Sequence, residues 1–241
     1  MIRRERIGLF GGTFDPIHNG HLHAARLVQK RFGLDRVFFI PAAVPPHKAR
    51  PDMASARDRL RMTALSVGGH VSWTTSPIEL RAGGLSFSIR TIGTMRRRFP
   101  KARLFFIVGA DAFLEIKTWR EWERVLRRCA FIVMTRPGSR LAAASGVLGP
   151  AWKDALHRVA PGERLKDGAF EPPCMFFLPI AALPVSSTQI RGRARNGRSL
   201  AGLVPRAVAD HIRTKRLYQE RPALRRGPLM SHPARRSEKI R

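Results

Sequence analysis

The stretch Ile7-Gly8-Leu9-Phe10-Gly11-Gly12-Thr13-Phe14-Asp15-Pro16-Ile17-His18-Asn19-Gly20-His21 decides how the rest of the chain reads. Ile7 to Phe10 have the composition of a short buried strand, and a glycine-rich loop follows. Asn19 is predicted to cap a helix running to about Phe32, with Leu22, Ala25, Val28 and Phe32 on one face and Gly33 at its end. The loop carries neither the G-x-G-x-x-G pattern nor a Gly-Lys-Ser/Thr ending, so it is not a dinucleotide fingerprint or a Walker loop. It still suits phosphate, because loop N–H groups and the positive end of the helix both attract anions. Gly11, Gly12 and Gly20 let the backbone approach closely, and His18 and His21 can turn both imidazoles toward one anion. Their N–H groups would donate to oxygens that gain charge during a reaction.

Strand-like and helix-like stretches alternate beyond this point. Val37–Ile40, Val71–Thr75, Leu104–Val108, Phe131–Met134 and Met175–Leu178 read as further strands. Helices are expected from Ser55, with Asp58 completing a variant capping box, and from Ser86 or Ser88 up to Pro100. Others are expected through Trp119 to Arg128, around Ala151 to Val159, from Thr188 to Arg195, and from Pro205 to Thr214. This alternation predicts an α/β fold, a Rossmann-like doubly wound parallel sheet with a small C-terminal helical part. In such sheets ligands bind beyond the carboxyl ends of the strands, so the loops after Phe10, Ile40, Val108 and Leu178 should hold the site.

The second such loop, Pro184-Val185-Ser186-Ser187-Thr188-Gln189-Ile190-Arg191, follows the last strand and opens a helix. Hydroxyls at a helix start ordinarily cap it. Together with Gly-Gly-Thr-Phe-Asp-Pro and His-Asn-Gly-His, however, the string resembles the H-x-G-H nucleotidyltransferase superfamily, whose second signature is Ile-Ser-Ser-Thr-x-Ile-Arg. Val185 stands here in place of the isoleucine. Pro45-Pro46-His47-Lys48, Glu79-Leu80-Arg81, Gly83 to Ser88, Gly109-Ala110-Asp111 and Trp119 narrow the likeness. From Ile7 to Tyr218 the chain resembles bacterial nicotinate-nucleotide adenylyltransferases, which join ATP and nicotinate mononucleotide on the way to NAD.

The resemblance implies roles for particular residues. His18 and His21 would be catalytic. Gly11, Gly12, Thr13, Phe14, Lys48, Asp111, Ser187, Thr188 and Arg191 would bind ATP, which would arrive with Mg²⁺. Ser86, Phe87, Ser88, Gly109 and Trp119 would bind the pyridine nucleotide, Trp119 by stacking on its ring. The family shows Ser-Tyr-Thr where this chain has Ser-Phe-Ser, so a phenol is missing from that pocket. Nicotinamide mononucleotide and phosphopantetheine adenylyltransferases share the same chemistry and stand as alternatives.

Composition bounds the rest. No apolar run reaches membrane-span length, and no secretory leader is visible at the N-terminus. Cys129 and Cys174 are far apart and fit no metal spacing; a zinc site using His23 or His47 would lack completing ligands, so no protein metal site is expected. A reducing cytoplasm is the expected compartment, and a homo-oligomer is left open. The net charge of +28 raises the alternative of a nucleic-acid-binding protein on an inactive nucleotide fold. Its arginines are scattered, though, and no recognition helix or aromatic RNA-binding signature accompanies them. Residues 1–218 read as one nucleotidyltransferase domain. Residues 219–241, with Arg221, Arg225, Arg226, Arg235, Arg236, Lys239 and Arg241, read as a basic, disordered tail.

Overall fold

Parallel strands buried on both faces explain the near-continuous apolar runs. The computed structural model describes residues 3–45, 50–135, 146–163, 165, 167–181 and 183–219. Its strands are β1 (Arg6–Gly12), β2 (Arg36–Pro41), β3 (Trp73–Thr75), β4 (Arg103–Gly109), β5 (Ala130–Thr135), β6 (Leu156–Arg158) and β7 (Met175–Pro179). They form one all-parallel sheet in the order β3-β2-β1-β4-β5-β7-β6. The helices are α1 (Asn19–Phe32), α2 (Ala56–Val67), α3 (Ile78–Ala82), α4 (Ser88–Arg98), α5 (Ala110–Leu114), α6 (Trp122–Leu126), α7 (Ser187–Arg195) and α8 (Arg206–Thr214).

Successive strand residues feed two separate cores. Phe105 and Ile107 of β4 and Phe176 and Leu178 of β7 pack with α1, α2, α7 and α8. Leu104, Phe106 and Val108, with Met175 and Phe177, pack with α4, α5 and α6 on the opposite face. The doubly wound arrangement is therefore the expected one. Strand order reverses at β1, which pairs with β2 on one side and β4 on the other. In sheets of this kind the loops leaving the two strands at such a switch point flank the ligand crevice.

Several local expectations change. His18, not Asn19, is the N-cap of α1, because the Asn19 amide is drawn away to donate to the Gly202 carbonyl. Gly33 ends the helix in the left-handed conformation at φ 57°, as expected. Ser55 caps α2 and also donates to Asp58. Ser88, one of the two starts expected, is the first residue of α4, with Phe87 as its N-cap. Pro205 is the N-cap of α8 rather than part of it. The helix expected through Trp119 to Arg128 is broken. A 3-10 turn spans Ile116–Thr118, Trp119 is extended, and Glu121 is left-handed at φ 55° before α6 begins. The helix expected over Ala151 to Val159 is instead a 3-10 turn (Pro150–Ala155) followed by β6. An edge strand of three residues, mostly exposed, is too short to show a periodicity. The tail reading for 219–241 falls, from Glu220 onward, outside the described residues, as do Pro46, His47 and Lys48.

Both cysteines are unpaired and buried, Cys129 in one core and Cys174 in the other. Burial pushes both thiols up to about 12, so they serve as packing groups rather than nucleophiles. The first core centres on an aromatic group in which the Phe176 ring lies 5.4 Å from Phe32 and 5.6 Å from Phe170. Phe176→Ala should lower folding stability by about 3–5 kcal/mol, measured by urea unfolding.

Candidate active site

The loop after β1 is folded on itself by aromatic packing. Phe14 adopts φ 49°, and its ring lies where a Cβ on Gly12 would meet it at 3.0 Å. That ring stands edge-on to His21 (5.1 Å, 85°) and to Phe10 (5.6 Å, 86°). The His18 and His21 rings face each other with centroids 3.7 Å apart. The His18 backbone N–H donates to His21 Nδ1 at 3.2 Å. In the neutral ring this places the His21 proton on Nε2, making that nitrogen a donor. His18 is buried, and among the described residues its Nδ1 has no hydrogen-bond partner. A Cβ at Gly20 would lie 3.0 Å from that Nδ1 and 3.0 Å from Val185, so the glycine between the histidines makes room for the first of them.

The loop after β7 docks directly on the loop after β1. Ser186 caps α7 through Gln189 N–H, while Ser187 Oγ donates to the Pro16 carbonyl at 3.0 Å. Arg191 is buried; it donates to the Asp15 carbonyl at 2.8 Å and to Thr188 Oγ1 at 3.0 Å. Two strings 171 residues apart thus share one hydrogen-bonded surface.

Asp15 is 3% exposed and is the centre of that surface. Its carboxylate accepts from Arg50 at 2.5 Å, from the Ala54 N–H at 3.1 Å and from the Tyr218 hydroxyl at 2.8 Å. Burial first, then the Asp15 charge, push the Tyr218 phenol far above its ordinary range, so it remains an O–H donor. Arg59, 1% exposed, donates to four carbonyl oxygens, those of Thr13, Ala42, Ala43 and Ala54. It ties the loops after β1 and β2 to the start of α2. Arg195 pairs with Asp52, which also lies 3.9 Å from Arg50. Here the guanidiniums of Arg50, Arg59, Arg191 and Arg195 outnumber the carboxyl groups of Asp15, Asp52 and Glu79, a small excess of positive charge that favours an anionic ligand.

The remaining expected site residues lie on other segments. Ser86 accepts from the Ala43 N–H at 2.8 Å, and its own N–H donates to the Val44 carbonyl. Trp119 is partly buried, edge-on to Phe106 at 5.9 Å. Arg120, its neighbour, reaches over the Phe87 ring at 5.2 Å, so the Trp119 and Ser86–Ser88 segments meet. Gly109 ends β4 and caps α5, with Asp111 exposed in the first turn. Gly11 and Gly12 lie at the end of β1, next in register to Ile40 and Pro41.

Comparison with known proteins agrees with this layout. The cytidylyltransferase-like family model matches residues 9–193, from β1 to α7, and so takes in both signature loops. A protein of Geotalea uraniireducens named as a probable nicotinate-nucleotide adenylyltransferase is 39% identical over 215 residues, covering 89% of this chain and 99% of its own. A Pelobacter propionicus protein of the same name is 40% identical over 217 residues, covering 90% of this chain and all of its own. The chain belongs to the nicotinate-nucleotide adenylyltransferase family. The fold is also that of Plasmodium falciparum nicotinic acid mononucleotide adenylyltransferase, solved with NaAD, at TM-score 0.67 and 16% identity over 89% of this chain and 98% of the other.

Some residues that build this family site were not legible in the sequence. Asp15 stands inside the quoted motif but carries no evident role there. Arg59 did leave a signal: it shares the buried stripe of α2 with Met62, Thr63 and Ser66, where a charge is out of place. Arg50 and Tyr218 left none, because their meeting with Asp15 depends on long-range folding.

Two predictions follow from the histidines. Burial alone holds the His18 imidazole down at about 4. An unfolded imidazole takes its proton near 6.5, so the unfolded chain binds more protons between these values. This contribution is whole above pH ~6.5, falls by about 3 kcal/mol as the pH drops to ~4, and is level below. Urea midpoints measured across that range should lose this part of their slope in His18→Gln. Gly20→Ala should displace His18 and lower kcat by about 10²-fold while the protein stays folded, read by steady-state kinetics and circular dichroism.

Proposed function

We propose that this protein transfers the adenylyl group of ATP to nicotinate mononucleotide, giving nicotinate adenine dinucleotide and pyrophosphate, as its cytoplasmic role in NAD synthesis. The observation that carries the reading is the docking of the two signature loops at the switch point, with the His18 and His21 rings 3.7 Å apart beside it. A phosphate oxygen of the mononucleotide attacks the α-phosphorus of ATP. The new P–O bond forms as the bond from that phosphorus to the bridging oxygen breaks, and pyrophosphate leaves with the electron pair. A phosphate monoester is already a nucleophile, so the protein supplies position and charge rather than a base.

His21 donates through Nε2 to the α-phosphoryl oxygens, and His18, kept neutral by burial, stands beside it. Thr13, Ser187, Thr188 and Arg191 face the triphosphate, with Gly11, Gly12 and Phe14 shaping the loop beneath it; Lys48, by family resemblance, would add a further cation for the phosphates. Arg191 is already engaged with Asp15 and Thr188, so part of its contribution is to hold the two loops together. Asp111 and Gly109 flank the crevice from β4. Ser86, Phe87, Ser88 and Trp119 form the pyridine wall.

Among the described residues no three His, Cys, Asp or Glu side chains converge as metal ligands, and the Asp15 carboxylate is fully engaged. Magnesium would arrive with ATP and would offset phosphate charge.

Pyrophosphate release with Mg-ATP should be strong with nicotinate mononucleotide and weak with nicotinamide mononucleotide or phosphopantetheine. His21→Ala should lower kcat by about 10²–10³-fold. Preference for either other substrate would overturn the pyridine wall, and a near-normal His21→Ala enzyme would overturn the assigned chemistry.

A further inference from the structure

We propose that Tyr218 is a positioning residue for the histidine loop, holding Asp15, and with it the left-handed Phe14 that wedges His21. The role of His21 rests on the function proposed above; the geometry does not. Among the described residues, the non-glycine residues with positive φ are Phe14 (49°), Glu121 (55°), Arg216 (48°) and Tyr218 (67°). Two of these, Phe14 and Tyr218, stand on either side of a single hydrogen bond, from the Tyr218 hydroxyl to Asp15 Oδ1 at 2.8 Å. Bulky residues hold such backbone conformations only where their surroundings over-determine them, and such strain gathers at functional sites.

The route to this contact is built in. After α8, the Arg216 N–H donates to Arg213 and the Leu217 N–H to Ile212. With Arg216 and Tyr218 both left-handed, the chain turns back and the Tyr218 ring enters the first core, 7% exposed. A phenylalanine would fill the same space. The hydroxyl adds one thing, a donor to a buried carboxylate 203 residues earlier in the chain.

The backbone beside that carboxylate is fixed as well. The Asp15 main-chain carbonyl is held by Arg191 and the next one, of Pro16, by Ser187. With Asp15 pinned at side chain and backbone, Phe14 is set against Gly12, and its ring stands edge-on to His21, which faces His18. The inferred path runs from Tyr218 through Asp15 and Phe14 to His21. It acts on where the catalytic ring stands, not on whether substrate binds.

Tyr218→Phe tests this without removing the ring. The full-length variant should stay folded, with kcat reduced on the order of tenfold to a hundredfold and KM for both substrates little changed. In a cycle with Asp15→Asn, the double variant should be no slower than Asp15→Asn alone, because both act through one contact. Imidazole nitrogen spectra give a readout independent of turnover: His21 should lose its single Nε2–H tautomer signature in Tyr218→Phe. Normal kcat in that variant, or fully additive losses in the cycle, would overturn the inference. If the wild-type protein turned over none of the substrates, the proposed function would fail. Unchanged His21 signals would then still overturn the positioning role, and altered ones would support it.

Discussion

Asp15 is the charge on which the arrangement depends. A buried carboxylate is tolerated only when paired and hydrogen-bonded, and removing one partner of such a pair costs about 3–5 kcal/mol. Here Asp15 is held from three parts of the chain: by Arg50 and Ala54 before α2 and Tyr218 after α8 at the carboxylate, and by Arg191 of α7 at the main chain. Fixing this one residue therefore requires that all three have already arrived. The loop that carries the histidines cannot be well placed in a partly folded chain. This coupling also explains how Phe14 is held at a backbone angle that a large side chain normally avoids.

Arg59 solves a related problem with the opposite sign. Parallel strands end in carbonyls and loop groups that must find donors once water is excluded. One guanidinium satisfies four such oxygens across the loops after β1 and β2. Its planar, permanently charged fork suits this better than a lysine ammonium would. Burial lowers its affinity for the proton, yet it remains an arginine and so remains charged. The same cation adds to the positive field at the crevice, so a structural device also serves anion binding.

The helices of one face decide where these groups meet. β1 and β7 are separated in the sheet by β4 and β5, and strand pairing does not bring their loops together. Their contact is made instead by helices on one face, where α1, α2, α7 and α8 share a single core. The opposite core carries the Trp119 and Ser86–Ser88 segments, so the two expected substrate regions approach the crevice from different faces. An excess of positive charge spread over such a surface speaks to anion attraction and solubility, not to the fold itself.

Most of the strand and helix order, the parallel sheet, the two signature loops and the histidine pair were legible because local composition, periodicity and short motifs encode them. The Gly33 and Ser55 caps were legible for the same reason. What was lost had a long-range cause. Asn19 gave up its cap to a carbonyl 183 residues away, and β6 exists only because β7 lies beside it. The break at Glu121 left no trace in a pattern of buried residues that still fits a helix. The sequence by itself determined the fold class and the chemistry available to the first loop. Only the tertiary structure decided that Asp15, Arg50, Arg59 and Tyr218 would fix that loop, because a buried charge takes whichever donors the packed chain brings to it.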